Sequence, residues 1–332
     1  MMILDSKQAV PLNKDQPPQL IVVIDTEEEF DWNKPVERSS TSVVAMQYIN
    51  RVQEIFDEYG IKPCYVIDYP IASQQSSYSH LLEIFKGERC EIGAHLHPWV
   101  TPPETELLIP ENTYPGNLER SLEYAKLKNL TEVIQQNFDF QPTTYKAGRY
   151  GFGANTQAIL QQLGYQIDLS YCPSFDHGAD GGPDYSAAHA EPFWFDDDKI
   201  LLEIPLTGSF VGSAGDASKG VFNFAQGYKK FKLPGIMSKF GIVDRLVLTP
   251  EGYTHEEHVK ITKFLYRKGV RTFTWSFHSP TVMPGTTPYV KNEQDVKNFL
   301  DSFHQYFDFF FTTMGGVATT PTLLKNTLES TK

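Results

Sequence analysis

Four distant segments of the chain carry side chains that can bind a cation and move protons. The stretch VIDTEEEFD sets Asp25 and Glu27 two residues apart and follows them with Glu28, Glu29 and Asp31. On extended backbone, residues i and i+2 point to the same side, so two carboxylates of one strand can divide a hydrolytic reaction between them. One ligates a divalent cation, which lowers the pKa of water towards about 7, and the other takes the proton as that water attacks a carbonyl. Glu28, Glu29 and Asp31 then read as solvated or capping residues. His95 and His97 in EIGAHLHPW repeat the same spacing, and two imidazoles on one side of a strand can converge on the same metal. Arg149 and Tyr150 in AGRYGFG, and His278 in TFTWSFHSP, add a fixed cation, a phenol and a titratable imidazole. Each group alone has an ordinary explanation as a cap, a packed ring or a surface ion pair. Only a shared location makes them a site.

The pattern of elements supplies that location. Residues 20–25 (LIVVID) form an apolar, β-branched run that stops at acid, as a buried parallel strand does. Val43, Met46, Ile49, Val52 and Phe56 then recur at helical spacing up to Gly60, which predicts a helix over 42–59. Further strands are predicted at 62–67, 90–95, 143–147, 166–169, 200–204, 245–248 and 272–278. The alternating helices are predicted at 79–85, 118–138, 154–164, 255–268 and 294–310. Such alternation implies a parallel sheet with right-handed crossovers, open or closed into a barrel. Loops at the carboxyl ends of its strands carry the chemistry, and all four reactive segments end strands. Two stretches interrupt the alternation, 172–195 and the Gly-rich 208–220, and read as a lid or substrate-shaping insertions.

The chain has 332 residues, 40% hydrophobic and 21% charged, which suits one large folded domain. Its formal charge of −12 argues against nucleic acid or an anionic membrane as partner and favours a neutral or cationic substrate. Cys64, Cys90 and Cys172 are few and odd in number, as expected of packed free thiols in a reducing compartment. The amino terminus lacks a basic segment followed by an apolar run, and no 18 apolar residues follow one another, so the protein reads as cytoplasmic with no integral membrane segment. The expected organisation is an N-terminal arm at 1–18, one domain at 19–320 and a polar tail at 321–332.

Taken in order, these segments resemble the motifs of the polysaccharide deacetylase family, the NodB homology domain of carbohydrate esterase family four. The resemblance spans about 20–316. It implies a distorted (β/α) barrel of about seven strands, an active site at its mouth, and hydrolysis of an N-acetyl group on an amino sugar of a glycan or glycolipid. In VIDTEEEFDW the family's base corresponds to Asp25 and its acidic ligand to Glu27, because Thr26 stands where an adjacent aspartate is usual. In EIGAHLHPW the first histidine ligand corresponds to His95. Trp99 occupies the place of the second, so His97 takes that role, and Zn2+ or another divalent metal is the implied cofactor.

AGRYGFG resembles the third motif without its proline. By resemblance, Arg149 orients Asp25 and lowers its pKa, while the backbone N–H of Tyr150 holds an oxyanion. GYQIDLS resembles the fourth, with Asp168 bracing Arg149 or His278. His278 matches the general acid that protonates the leaving amine. The PGTTPY segment and the aromatic helix after it are similar to those of a branch associated with bacterial surface polysaccharide. Sugar rings pack on aromatic faces, which nominates Trp99 and Trp275, among other aromatics near the motifs, as substrate contacts. Two other readings remain open at this point: a metal-independent amidase of the same fold, and a carbohydrate-binding relative without turnover.

Overall fold

The run at Leu20 forms strand β1 (Gln19–Thr26), buried along almost its whole length. In the chain's computed structural model, which describes residues 9, 10, 12–214 and 218–330, this strand belongs to a nine-stranded sheet. The strands are β1, β2 (Cys64–Ile67), β3 (Glu91–Leu96), β4 (Thr144–Ala147), β5 (Ile167–Asp168), β6 (Phe193–Trp194), β7 (Leu202–Glu203), β8 (Gly208–Val211), β9 (Asp244–Val247), β10 (Thr272–His278) and β11 (Val317–Ala318). From β10 through β1, β2, β3, β4 and β5 to β7 every pairing is parallel, and β6 closes that edge antiparallel. β11 pairs with the start of β1, and β8 with β9 makes a separate antiparallel ribbon.

The sheet curls until its edges are linked. Leu248 N donates to Thr207 O (2.8 Å), Ser276 N donates to Leu248 O (3.3 Å), and Thr274 N donates to Thr207 Oγ1 (2.7 Å). The predicted (β/α) barrel is therefore the observed architecture. Its helices are α1 (Asn50–Glu58), α2 (Tyr69–Ser73), α3 (Gln75–Lys86), α4 (Arg120–Phe138), α5 (Thr156–Gln162), α6 (Ser218–Gly227), α7 (Leu233–Lys239), α8 (His255–Lys268), α9 (Glu293–Phe307) and α10 (Pro321–Ser330). The clearest sequence signal, α8, begins in a Thr254/Glu257 capping box and ends at left-handed Gly269. The predicted 42–59 helix opens as a 3-10 turn, Val44–Tyr48, and α9 passes into a π turn at Asp308–Thr313.

Strand alternation divides the apolar residues into two cores. Leu20, Val22, Ile24, Phe273, Trp275 and Phe277 face the helices, while Ile21, Val23, Cys64, Val66, Ile167 and Leu202 fill the inside of the curl. Three expectations need correction. The segment from Val10 is no loose arm: Val10 N donates to Pro192 O (2.7 Å) and Leu12 is buried in the inner core. The expected tail at 321–332 is largely α10, whose Leu324 and Leu328 enter the same core because they sit on one helical face. The 208–220 insertion contains β8 and the start of α6 rather than loop alone. Residues 1–8, 11, 215–217 and 331–332, which belong to the expected arm, domain, insertion and tail, lie outside the described residues. The 172–195 stretch is largely irregular, and the three cysteines are free and buried.

Candidate active site

Parallel register brings the reactive groups together. Asp25 pairs with His278 on β10 and Val66 on β2, and His95 on β3 pairs with Lys146 on β4. Asp25, His95, Lys146 and His278 therefore share the inner face at the carboxyl ends of adjacent strands. Glu27 continues the direction of Asp25, and its backbone N–H is held by Ser279 Oγ (3.2 Å).

Glu27 Oε2 stands 3.5 Å from both His95 Nε2 and His97 Nε2, all three residues being buried. That is too long for a strong hydrogen bond, but it matches the separation of about 3.4 Å between ligand atoms each about 2.1 Å from a tetrahedral metal. The other rim of each imidazole is occupied. His95 Nδ1 lies 3.0 Å from the Lys146 carbonyl oxygen, and His97 Nδ1 lies 2.8 Å from Glu28 Oε2. A carbonyl can only accept, so His95 carries its proton on Nδ1 and leaves Nε2 bare. Burial pushes the pKa of His95 down and that of His97 to about 4, so both rings are neutral and able to ligate at neutral pH. The second Glu27 oxygen, Oε1, is buried with no hydrogen-bond partner among the described residues. The donor set, its protonation and this orphaned oxygen fit a divalent cation.

Glu28, read from the sequence as solvated or capping, is wholly buried. It accepts from Trp99 Nε1 (2.6 Å) as well as facing His97, and its backbone N–H donates to Asp68 Oδ2 (2.8 Å). Burial raises its carboxyl to about 8 and drives Asp68 well above the carboxylate range. Positive charge on the far side of His97 would lower the Glu28 value and fix the ligating tautomer. The expected solvated or capping role fails because β1 ends at Thr26, and beyond it the chain turns the Glu28 carboxylate inward.

The cation on Asp25 is Lys146, not Arg149. Lys146 Nζ lies 2.6 and 2.7 Å from the two Asp25 oxygens and 3.2 Å from Ser276 Oγ. Burial works to raise the Asp25 pKa, but Lys146, His95 and His278 outweigh it and hold the group below its ordinary value. His278 Nε2 is 3.8 Å from Asp25 Oδ2, and His278 Nδ1 is 2.7 Å from Glu251 Oε2. Burial opposes charge on the ring, but Glu251, Glu27 and Asp25 raise its pKa to about 10, so it is an imidazolium at neutral pH. Sequence reading missed both Lys146 and Glu251. Their signals were a lone lysine inside an apolar strand and an acid just beyond the 245–248 strand.

Arg149 instead donates to Thr113 Oγ1 and Asp180 and lies over the Tyr114 ring (4.3 Å). It leaves Asp25 to Lys146 because Arg149 and Tyr150 are successive left-handed residues (φ 55° and 60°) past the end of β4. The Tyr150 ring stacks on His177 (5.4 Å), bringing the 172–195 insertion to the wall of the site. Trp99 spends its indole N–H on Glu28 and stacks on His97 (4.1 Å), which makes it a support for that ring rather than a sugar platform.

Trp275 is fully buried on the outer face against Tyr306 (4.3 Å), since an odd spacing from His278 sends it away from the site. Asp168 is buried on the outer side of β5, bonded to Ser170 Oγ (2.6 Å), and its pKa rises to about 6 through burial. It braces neither Arg149 nor His278. The ring beside the chemistry is Trp32, edge-on to His278 at 4.8 Å and stacked on Phe30. A cavity of about 680 Å³ connects these groups, with Asp25, Glu27, His95, His97 and His278 at its base and Trp32, Tyr114, Arg149, His177 and Tyr289 around its wall.

No protein-family model and no curated protein matches the chain. Solved structures do. A protein from Mycobacterium smegmatis assigned as a polysaccharide deacetylase aligns over 98% of this chain and 95% of its own, with a TM-score of 0.56 and 11% identity. One from Parabacteroides distasonis assigned as a glycoside hydrolase/deacetylase aligns over 95% of this chain and 73% of its own, with a TM-score of 0.56 and 10% identity. The chain has the polysaccharide deacetylase fold.

Proposed function

We propose that the protein hydrolyses an N-acetyl group on an amino sugar of a glycan or glycolipid. The observation that carries this reading is the pair of 3.5 Å separations between Glu27 and the two histidine Nε2 atoms, set beside an acid and a base 3.8 Å apart. Glu27, His95 and His97 would hold a divalent cation such as Zn2+, whose Lewis acidity polarises the acetyl carbonyl and acidifies water. Asp25, kept ionised by Lys146, accepts the proton of the attacking water. Our candidate oxyanion donor is the backbone N–H of Tyr150, on the turn with two successive left-handed residues. His278 then gives its Nε2 proton to the amine as the C–N bond breaks and acetate leaves. Trp32 and Phe30, which line the cavity, offer apolar ring surface to the sugar.

Elemental analysis of the purified chain tests the metal part directly. About one equivalent of divalent metal is expected in the wild type, with its loss in His95→Ala, together with release of acetate from N-acetylated amino-sugar oligomers. Turnover unaffected by chelation, in protein without bound metal, would replace this reading with a metal-independent amidase.

A further inference from the structure

Outside the site, one region departs from the character of the rest. From Ser218 to Phe240 the sequence holds five lysines, Lys219, Lys229, Lys230, Lys232 and Lys239, and no acid, leaving −17 for the remainder of a chain whose total is −12. All five are exposed, and among the described residues Lys229, Lys230, Lys232 and Lys239 form no ion pair. The same segment exposes large apolar side chains. Phe224 is 58% exposed on α6, Ile236 47% on α7 and Phe240 74% at the C-cap of α7; the two helices pack on each other as a hairpin. The inner face of α6 is anchored: Phe222 and Ala225 are buried, and Phe222 meets Phe210 of β8 (5.2 Å). Phe224 and Tyr228, one helical turn apart, touch each other (5.0 Å).

Exposed aromatic and aliphatic side chains interleaved with lysine cost solubility, and the contact between Phe224 and Tyr228 still leaves about half of each ring in water. They match the surface of an interfacial element, whose rings enter the headgroup region while lysines meet anionic lipid. The net charge of −12, which argued against such a partner, averages over this asymmetry. The geometry points to the α6–α7 hairpin as a docking surface for an anionic bilayer. No helix among the described residues is long and apolar enough to cross a membrane, so the contact is peripheral. The hairpin is also tied to the site's wall: Arg245 lies between Phe222 (5.2 Å) and Phe175 (4.0 Å), and Phe175 stacks on His177 of the cavity. Docking would hold the cavity wall beside the bilayer. The inference stands without the deacetylase reading.

Sedimentation of the full chain with vesicles tests it, comparing pure phosphatidylcholine with a 70:30 mixture of phosphatidylcholine and phosphatidylglycerol. Binding to the anionic vesicles is expected, weakening as salt rises. Since each lysine near an anionic surface changes partitioning by roughly fivefold, the triple change Lys229→Gln, Lys230→Gln, Lys232→Gln should lower it at least tenfold. Phe240→Ser, at a site too exposed to disturb folding, should weaken binding while leaving the charge intact. Absence of vesicle binding by the wild type, or equal binding by the wild type and both variants, overturns the proposal. So does capture by soluble polyanion that is indifferent to Phe240→Ser, which would mark a charged polymer as the partner.

Discussion

The two ends of the same strands differ only in which residue types the inward positions hold. Near the amino ends, the inner face reads Ile21, Val23 and Cys64, closed by Leu12, Leu324 and Leu328. Near the carboxyl ends, alternation continues unbroken into Asp25, Asp68, His95, Lys146 and His278. One end stabilises by removing apolar area from water. The other buries ionisable groups, which is costly unless each is paired or held neutral, and here Asp25 pairs with Lys146, His278 with Glu251, and neutral His97 hydrogen-bonds Glu28. The polar end therefore rests on the apolar end for its stability, and substitutions at the polar end should act mainly on turnover, those at the apolar end mainly on folding.

The largest effect on turnover is expected at Asp25. Asp25→Asn keeps the shape but removes the base, and general-base catalysis contributes roughly 10²–10⁴-fold, so kcat should fall about a thousandfold in acetate-release assays. Lys146 then faces an amide inside the barrel, so some loss of thermal stability should accompany it. Turnover within tenfold of the wild type would remove Asp25 from the reaction.

Next comes Glu28, which touches no substrate but positions His97. A glutamine offers one acceptor oxygen and one NH2, so Glu28→Gln can accept from Trp99 only by turning its NH2 towards His97 Nδ1, which moves the His97 proton to Nε2, the ligating atom. Loss of such a partner typically weakens metal binding 10–100-fold, measurable by chelator competition, and an unchanged affinity would show that His97 needs no such brace. That Glu28 escaped the sequence reading has a physical cause. Alternation predicts side only while the strand lasts, and β1 stops one residue before Glu27. Asp25, His95 and His278 were legible because each lies inside or at the end of a strand whose pattern is clear. Trp275 and Asp168 were misjudged for the opposite reason: both sit on strands at odd offsets from inward residues, so parity alone would have sent them to the outer core. Lys146 was hidden because a charge in an apolar strand signals a partner across the barrel, and that partner is 121 residues away. Helices α6 and α7 left little trace, as their Gly and Ser content breaks any apolar period.

A smaller, pH-dependent effect is expected at Glu251. Its carboxylate is the main charge holding the His278 proton, with a pKa of about 10. The group is raised, so its protonated form is present at low pH and lost as pH climbs through that value. Activity that needs the imidazolium should fall on the alkaline side, somewhat below 10 where a dication offsets the charge of Glu27. Glu251→Gln should move that limb at least one unit towards acid. The acid limb, set by Asp25 and its lowered pKa, should stay in place. Coincident limbs in kcat/KM profiles of variant and wild type would show that Glu251 does not govern this proton.

The smallest effect on turnover, and the largest on folding, is expected at the opposite end of the strands. Leu324 is fully buried on α10, among the inner-core residues that carry no reactive group. Its helix starts where Thr322 N meets Glu91 Oε2 at the beginning of β3 (3.4 Å), the end of the barrel away from His95. Leu324→Ala removes most of a side chain from a rigid surround, which costs about 2–5 kcal/mol depending on how far the cavity collapses. Denaturant titration should show that loss, while kcat measured well below the unfolding transition should remain within about twofold. A parallel fall in kcat would mean that the apolar end does more than support the site, transmitting packing changes along β1 from Ile21 to Asp25.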